Sequence, residues 1–142
     1  SNQVIRISLD PARNLPLHVG SPAKVHLAGL APSEIDRILD AAAKSRSAPS
    51  FDRSRLEREL AEIRRRGWAE SDGEIEHGVA SLSVPVLDPD GSMVAGLTVA
   101  APAFRLKRDD RKRIVALLLS AAADITEALG RRRAEPAATG RS

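Results

Sequence analysis

Two alternating segments joined by a turn constrain the fold of this chain more than any other feature. From residue 79 to 86, and again from 93 to 100, apolar residues occupy every second position, as in strands with one buried face. Residues 88–91, Asp-Pro-Asp-Gly, supply a turn between them, so the two segments predict a β-hairpin. The predicted apolar faces consist of Ala80, Leu82, Val84 and Val86 on the first strand and of Met93, Ala95, Leu97 and Val99 on the second.

Helical spacing of apolar residues is found on both sides of this hairpin. Ser33 is placed to cap a helix, because its hydroxyl can accept from the free amides of the first turn. Ser54 and Glu57 have the S-x-x-E form of a capping box. Together with the hairpin, these helices predict an α+β domain with an antiparallel sheet flanked by helices. The predicted helices cover residues 24–30, about three turns after Ser33, Ser54 to Gly67, and Asp109 to Gly130, while residues 4–9 predict a further strand.

The composition indicates one globular domain and excludes several classes of protein. A chain of 142 residues with 42% hydrophobic and 29% charged residues is ordinary for a single domain. The longest apolar stretch, residues 114–123, is far short of the ~20 residues that cross a bilayer, so we expect no membrane partner. The absence of cysteine excludes disulfides and thiolate metal sites, and it agrees with a cytoplasmic location. Aromatic residues, at 2%, are too few to stack on single-stranded nucleic acid.

A set of short motifs occurs along the chain in a characteristic order, although no single motif is specific. The motifs are Leu15-Pro-Leu-His18, Ala23 to Ala28 (AKVHLA), Leu60 to Ala69 (LAEIRRRGWA), Glu74, Gly78-Val79, Val84 to Asp88 (VPVLD) with Gly91, Ala101-Pro102, and a last helix that ends in Leu129-Gly130. With these motifs in this order, residues 4–130 resemble the effector-binding domain of bacterial transcription regulators of the IclR family.

The resemblance implies a GAF-like fold with a pocket for a small carboxylate metabolite between the sheet and the loop before the first helix. It also implies a homodimer or homotetramer that needs no cofactor. Contact with DNA would be made only by an N-terminal winged helix-turn-helix domain, which we expect to be missing from this chain. We expect residues 1–130 to form the effector-binding domain and residues 131–142 to form a flexible tail.

The resemblance also assigns residues to the ligand pocket. The matching contact positions are Ser21, Pro22 and Ala23 in the loop that meets the carboxylate, then Ser71, Ser81, Thr98 and Ala100, with Leu15, Ile7 and Val79 lining the pocket. Ser81 and Thr98 lie on the small, partly polar faces of the predicted strands, where hydroxyls can donate to an anion. Four positions depart from the family pattern: Pro22 has no N–H, Ala23 narrows the backbone choices of the loop, Ser71 replaces an acid and Ala100 replaces a hydroxyl. We therefore expect a less polar pocket that prefers a bulkier or more apolar acid.

Two alternative sites can be weighed from the sequence. Ser81, His77 and Asp72 supply the three groups of a hydrolytic triad, but no G-x-S-x-G elbow surrounds the serine, so we expect no catalytic site. The histidines at 18, 26 and 77 lack a second ligand at the spacing that zinc sites use, so we expect no metal site.

The charged residues of the motifs also have two interpretations. Lys24 is expected to form a structural ion pair in preference to contacting a ligand, and Glu74 either anchors a ligand or holds the loop before Gly78. Arg64 to Arg66, and likewise Arg131 to Arg133, are expected to suit the negative ends of helices, with a nucleic-acid arm as the alternative for the second set.

The function predicted from these observations is that of a ligand-sensing and oligomerisation domain, without enzyme activity, of a bacterial DNA-binding transcription regulator. The alternative is a stand-alone GAF-like enzyme acting on a small acid or ester, which turnover of a soluble substrate would reveal. A third possibility is a dimerisation module with an empty pocket, and a small acid that co-purifies with the protein would exclude it.

Overall fold

The computed structural model of this chain describes residues 16–136, which form a three-stranded antiparallel sheet between two groups of helices. The predicted α+β class is confirmed, and the strand predicted at residues 4–9 lies outside the described residues. In chain order the elements are α1 (Ser21–Ala28), α2 (Pro32–Lys44), α3 (Arg53–Arg66), β1 (Ala69–Asp72), β2 (Val79–Leu87), β3 (Met93–Pro102), a short 3-10 helix (Ala103–Arg105) and α4 (Arg108–Ala134). The strand order within the sheet is β1-β2-β3.

The central strand β2 separates two apolar cores. Its even-numbered residues pack against α4, as the period-two pattern predicts, and its odd-numbered residues face α1. The core on the α4 side consists of Leu82, Val84, Val86, Val115, Leu118 and Ala122. The core on the other side consists of Val25, Leu27, Ala28, Ile35, Leu39, Leu56, Leu60, Ile63 and Ala69.

Strand β1 was not predicted, because its four residues, AESD, show no apolar alternation. Pairing with β2 defines it, with Ala69 opposite Ser83 and Asp72 opposite Ala80. Arg111 at the start of α4 donates to Glu70 and to Asp72 of this strand. The hydrogen bond to Asp72 is the main cause that raises the pKa of Arg111, and these ion pairs tie α4 to the edge of the sheet.

A bulge in the hairpin places Met93 on the opposite face of the sheet from the one predicted. The register shifts between Val86 and Leu87, so that Val86 pairs with Ala95 and Leu87 pairs with Met93. One extra residue reverses the alternation of all side chains beyond it. Met93 therefore packs against the helical core of α1 to α3, and its assignment to the same face as Leu97 was wrong.

Two predicted helix starts are also wrong. Helix α2 begins at Pro32 with Ala31 as its N-cap residue, and no side chain caps it, so Ser33 lies inside the first turn. Proline suits this first position because the N–H that it lacks would have no partner there. Helix α3 begins one residue earlier than Ser54, and the carboxylate of Asp52 accepts from the amide of Arg55.

One predicted helix end is confirmed and the other is wrong. Gly67 ends α3 in the left-handed conformation at φ 84°, as predicted. Helix α4 continues through Gly130 to Ala134, so part of the segment predicted as a tail is helical; residues 137–142 lie outside the described residues. A Cβ on Gly130 would stand 3.2 Å from Pro89 Cγ, so the glycine lets the hairpin turn approach the helix closely.

The fold predicts a large loss of stability for Leu82→Ala. The side chain of Leu82 is completely buried between the sheet and α4, so we expect a decrease of about 2–5 kcal/mol in the free energy of unfolding. Leu119→Ala on the outer side of α4, where the leucine is 40% exposed, is the matched control and should cost less than about 1 kcal/mol. Urea denaturation of both variants measures the difference, and equal losses would contradict this account of the core.

Candidate functional site

Five hydroxyl side chains form a continuous chain of hydrogen bonds on the face of the sheet that meets α1. We call this set, Ser71, Ser81, Ser21, Ser83 and Thr98 in order of contact, the hydroxyl chain. Its Oγ–Oγ distances are 2.7 Å from Ser71 to Ser81 and 2.6 Å from Ser81 to Ser21. The distances are 2.7 Å from Ser21 to Ser83 and 2.7 Å from Ser83 Oγ to Thr98 Oγ1. Three strands and one helix are thus joined at one place.

The sheet register and the position of α1 bring these hydroxyls together. Ser71 pairs with Ser81 across β1 and β2, and Ser83 pairs with Thr98 across β2 and β3. Residues two apart on a strand point to the same side, so Ser81 and Ser83 both face α1. Ser21, the first residue of α1, lies between them and contacts both.

The number of hydrogens gives the hydroxyl chain a direction. Five hydroxyls carry one hydrogen each and the four bonds use four of them, so one O–H remains available. A spare hydrogen at a buried member would be unsatisfied, which is costly. Ser71 at one end is buried, whereas Thr98 at the other end is exposed. The arrangement therefore favours a free donor at Thr98, on the open surface of β3.

A buried lysine fixes α1 in front of the sheet. Lys24 is 1% exposed, and its Nζ lies 2.5 Å from Glu59 Oε1 of α3 and 2.6 Å from Glu74 Oε1 of the loop between β1 and β2. Glu74 uses its other oxygen to accept from the amide of Gly20, at 2.9 Å. We call Lys24, Glu59, Glu74 and Gly20 the Lys24 clamp. The predicted ion pair of Lys24 is thus observed, and Glu74 holds two loops together.

Glycine is required at position 20 for two reasons. The residue has φ 87°, which disfavours any residue with a side chain. A Cβ there would also fall on the side chain of Ile75. The close approach lets the loop between β1 and β2 reach the start of α1, where the amide of Gly20 meets Glu74.

The structure brings together only part of the predicted pocket. Ser21, Ser71, Ser81 and Thr98 belong to the hydroxyl chain, and Ala100 pairs with Ser81 on the exposed surface of β3. The remaining described positions are Pro22 and Ala23 in the first turn of α1 and the half-buried Val79 at the start of β2. Leu15 and Ile7 lie outside the described residues.

Sequence reasoning missed Ser83, which is completely buried and joins Ser21 to Thr98. Ser83 could have been predicted from the sequence, because it follows Ser81 by two residues and therefore lies on the same face of the strand.

The groups of the hydrolytic triad do not assemble. The hydroxyl of Ser81 bonds to Ser21 and Ser71, the carboxylate of Asp72 bonds to Arg111, and His77 is exposed. His18 is a structural residue, since its Nε2 lies 3.1 Å from the carbonyl oxygen of Pro49 and its ring packs on Phe51. Within residues 16–136, no three histidine, aspartate or glutamate side chains are grouped as metal ligands.

Comparisons with known proteins agree on one class. The family model described as "Bacterial transcriptional regulator IclR C-terminal" matches residues 1–127. The HTH-type transcriptional regulator KdgR of Dickeya chrysanthemi is 32% identical over 120 residues, which are 83% of this chain and 39% of that protein. The crystal structure of the C-terminal domain of Escherichia coli KdgR is 31% identical with a TM-score of 0.72, covering 83% of this chain and 73% of that one.

A further solved structure gives the same result. An IclR transcriptional regulator from a Silicibacter species is 32% identical with a TM-score of 0.78, covering 92% of this chain and 52% of that chain. The chain spans less than half the length of curated regulators to which it is similar. No helix within residues 16–136 combines the length and the apolar character needed to span a bilayer.

The Lys24 clamp predicts that Lys24→Met destabilises the protein by about 3–5 kcal/mol, because two carboxylates would be left facing each other without their buried cation. Arg53→Met is the matched control. Arg53 likewise contacts carboxylates, those of Asp36, Asp40 and Glu57, but its side chain is 38% exposed, so its loss should cost much less than the loss of Lys24. Urea denaturation measures both, and a similar small loss in the two variants would show that the clamp is dispensable.

Proposed function

We propose that this chain, which belongs to the IclR family of bacterial transcriptional regulators as their C-terminal domain, senses a small organic acid on behalf of a DNA-binding protein. The GAF-like domain acts by binding the acid and not by converting it. DNA contact is assigned to a separate winged helix-turn-helix domain of the whole regulator, and the whole regulator works in the cytoplasm. Ligand binding and DNA binding are then linked by a coupling free energy between distant sites.

The observation that carries this proposal is the hydroxyl chain, whose buried end at Ser71 and exposed end at Thr98 favour a free donor at Thr98. The first turn of α1 lies at the same face of the sheet, because Ser21 at its start bonds to Ser81 and Ser83. Amides in a first helical turn have no partner in the helix, and the helix dipole favours an anion there. A hydroxyl donor beside free amides is suited to a carboxylate.

The composition of this surface favours an acid with an apolar body. Pro22 removes one amide from the first turn of α1, and Ala100 offers a methyl group beside Ser81. Ser71 uses its hydroxyl to bond to Ser81. A ligand would therefore find one polar corner for its carboxylate and an otherwise apolar surface, which suits an aromatic or branched acid better than a two-carbon or three-carbon acid.

Binding of a panel of small carboxylates, measured by thermal shift and then by calorimetry, tests this proposal. We expect aromatic or branched acids to raise the melting temperature more than acids of two or three carbons. Thr98→Val should weaken the best ligand roughly tenfold or more, because it removes a hydrogen bond to a charged group and keeps the side-chain shape. Thr126→Val, on the α4 side of the sheet, is the matched control and should leave the affinity unchanged.

Preference for the smallest acids would contradict the expected pocket, and equal affinity in both threonine variants would contradict the assigned donor. Turnover of any bound acid or ester would favour the alternative of a stand-alone enzyme.

We also infer that the domain assembles with a second copy of itself through α4. Helix α4 has 27 residues, about 40 Å, and only one side of it packs on the sheet. An apolar stripe remains on its outer side, where Leu117 is 62% exposed and Ile125 is 40% exposed. The outer stripe of α4 consists of Leu117, Ala121, Ile125 and Ala128, which recur four and three residues apart.

The charges at the ends of α4 suit an antiparallel second copy. Leu117 and Ile125 lie four residues on either side of Ala121, so they would meet each other across a two-fold axis at that residue. Asp110 and Arg132 lie eleven residues on either side of Ala121, and each would face the opposite charge on the second copy. Antiparallel helices also place opposite dipole ends together.

Leu117→Glu tests the proposed interface. A charge in the centre of the outer stripe should convert the assembly to monomers, measured as mass by light scattering at matched concentrations. Ala116→Glu is the matched control, because the neighbouring residue is exposed on α4 but points away from the outer stripe. An unchanged mass in Leu117→Glu, or the same dissociation in both variants, would assign the assembly to another surface.

A further inference from the structure

A cavity lies at the other end of α1 from the hydroxyl chain. It has a volume of about 430 Å³, and it is enclosed by the ends of α1 and α3 and by the hairpin turn between β2 and β3. This volume falls within the range of small-molecule sites in proteins. From its first to its last residue α1 spans about 10 Å, so the cavity and the hydroxyl chain lie on opposite ends of one short helix.

Local features of the sequence create this space. The bulge between β2 and β3 turns Met93 toward the helices, where it forms one wall of the cavity. Helices α1 and α3 are followed by Gly29 and Gly67, which also line it and fill none of it with a side chain. A Cβ on Gly67 would meet no atom within 4 Å, so open space adjoins this glycine.

The walls are apolar, and the ionisable groups at the rim are basic. Val25, Ile63 and Leu87 join Met93 in the walls, and no acidic residue lines the cavity. His26 and Arg64 stand at the rim, and both are exposed. Two basic side chains without an acidic one predict an anionic ligand, and the walls predict that its body is apolar.

Arg64 is positioned to bind the charged group. Its Nε donates to the carbonyl oxygen of Ala28 at 3.0 Å, which satisfies the end of α1 and orients the guanidinium. Among residues 16–136 no carboxylate pairs with Arg64, in contrast with the neighbouring Arg65, which pairs with Glu62. The two terminal nitrogens of Arg64 are therefore available for a carboxylate, which a guanidinium binds with two parallel hydrogen bonds.

We propose that this cavity binds a second small carboxylate with an aromatic or branched apolar body, held by Arg64 and separate from the ligand of the hydroxyl chain. The site differs in chemistry from the first one, since a guanidinium and an imidazole replace hydroxyls as the donors. It does not depend on the proposed sensing function, because none of its lining residues belongs to the hydroxyl chain.

Titration of the ¹⁵N-labelled chain with benzoate tests the second site, because glycine amides report on each site separately. Gly29, Gly67 and Gly91 line the cavity, whereas Gly20 adjoins Ser21 of the hydroxyl chain. We expect the three cavity glycines to shift together with one dissociation constant. Benzyl alcohol, which has the ring without the charge, should bind there at least about tenfold more weakly.

Substitutions then assign the shifts to Arg64. Arg64→Gln should weaken the benzoate response of the cavity glycines about tenfold or more, while Arg64→Lys, which keeps the charge but loses the paired hydrogen bonds of the guanidinium, should weaken it less than Arg64→Gln does. Arg65→Gln is the matched control, and Thr98→Val should leave the cavity response unchanged. The proposal is overturned if the three glycines do not shift, or if Arg64→Gln and Arg65→Gln have the same effect. Shifts confined to Gly20 would support the hydroxyl chain and reject the cavity.

Discussion

The position of α1 depends on one buried ammonium group. Lys24 draws Glu59 of α3 and Glu74 of the β1–β2 loop onto the middle of the helix, and Glu74 in turn holds Gly20 at its start. The charge has almost no contact with water, so its environment must supply the partners that water would otherwise provide. Each candidate ligand site uses one end of α1, so the geometry of both sites depends on the ion pairs of Lys24.

The sheet gives its two faces different roles. On β2, Ser81 and Ser83 belong to the hydroxyl chain, while their neighbours Leu82 and Val84 pack against α4. A ligand on one face and a second subunit on the outer stripe of α4 would thus be separated by the sheet and by α4 itself. Packed interiors transmit small displacements well, because they contain little free space. The alternation of one strand is enough to place a binding surface and an assembly surface back to back.

The hairpin could be predicted from sequence because period-two alternation is a local signal, and Ser81 and Thr98 were found on the correct face for the same reason. The face on which Met93 lies could not be predicted, because the alternation of apolar residues in the two strands does not reveal a single inserted residue at the bulge. The start of α3 was misjudged because Asp52 and Ser54 are both good caps. Only part of the Lys24 clamp was predicted. An ion pair was expected for Lys24, but its partners Glu59 and Glu74 could not be identified because they lie 35 and 50 residues away along the chain.

The two groups of ion pairs should respond differently to ionic strength. Arg53 attaches α3 to Asp36 and Asp40 of α2, and all three side chains are exposed, so dissolved ions can screen their charges within about 3 Å at 1 M salt. In the Lys24 clamp the ammonium group is 2% exposed, although its two carboxylate partners are 35% exposed, so dissolved ions screen this charge less. In concentrated salt α2 would then rest on its apolar contacts through Ile35 and Leu39, while α1 would keep its polar attachment. One small domain thus contains a central group of ion pairs that is less sensitive to salt than the ion pairs that hold the outer helix α2.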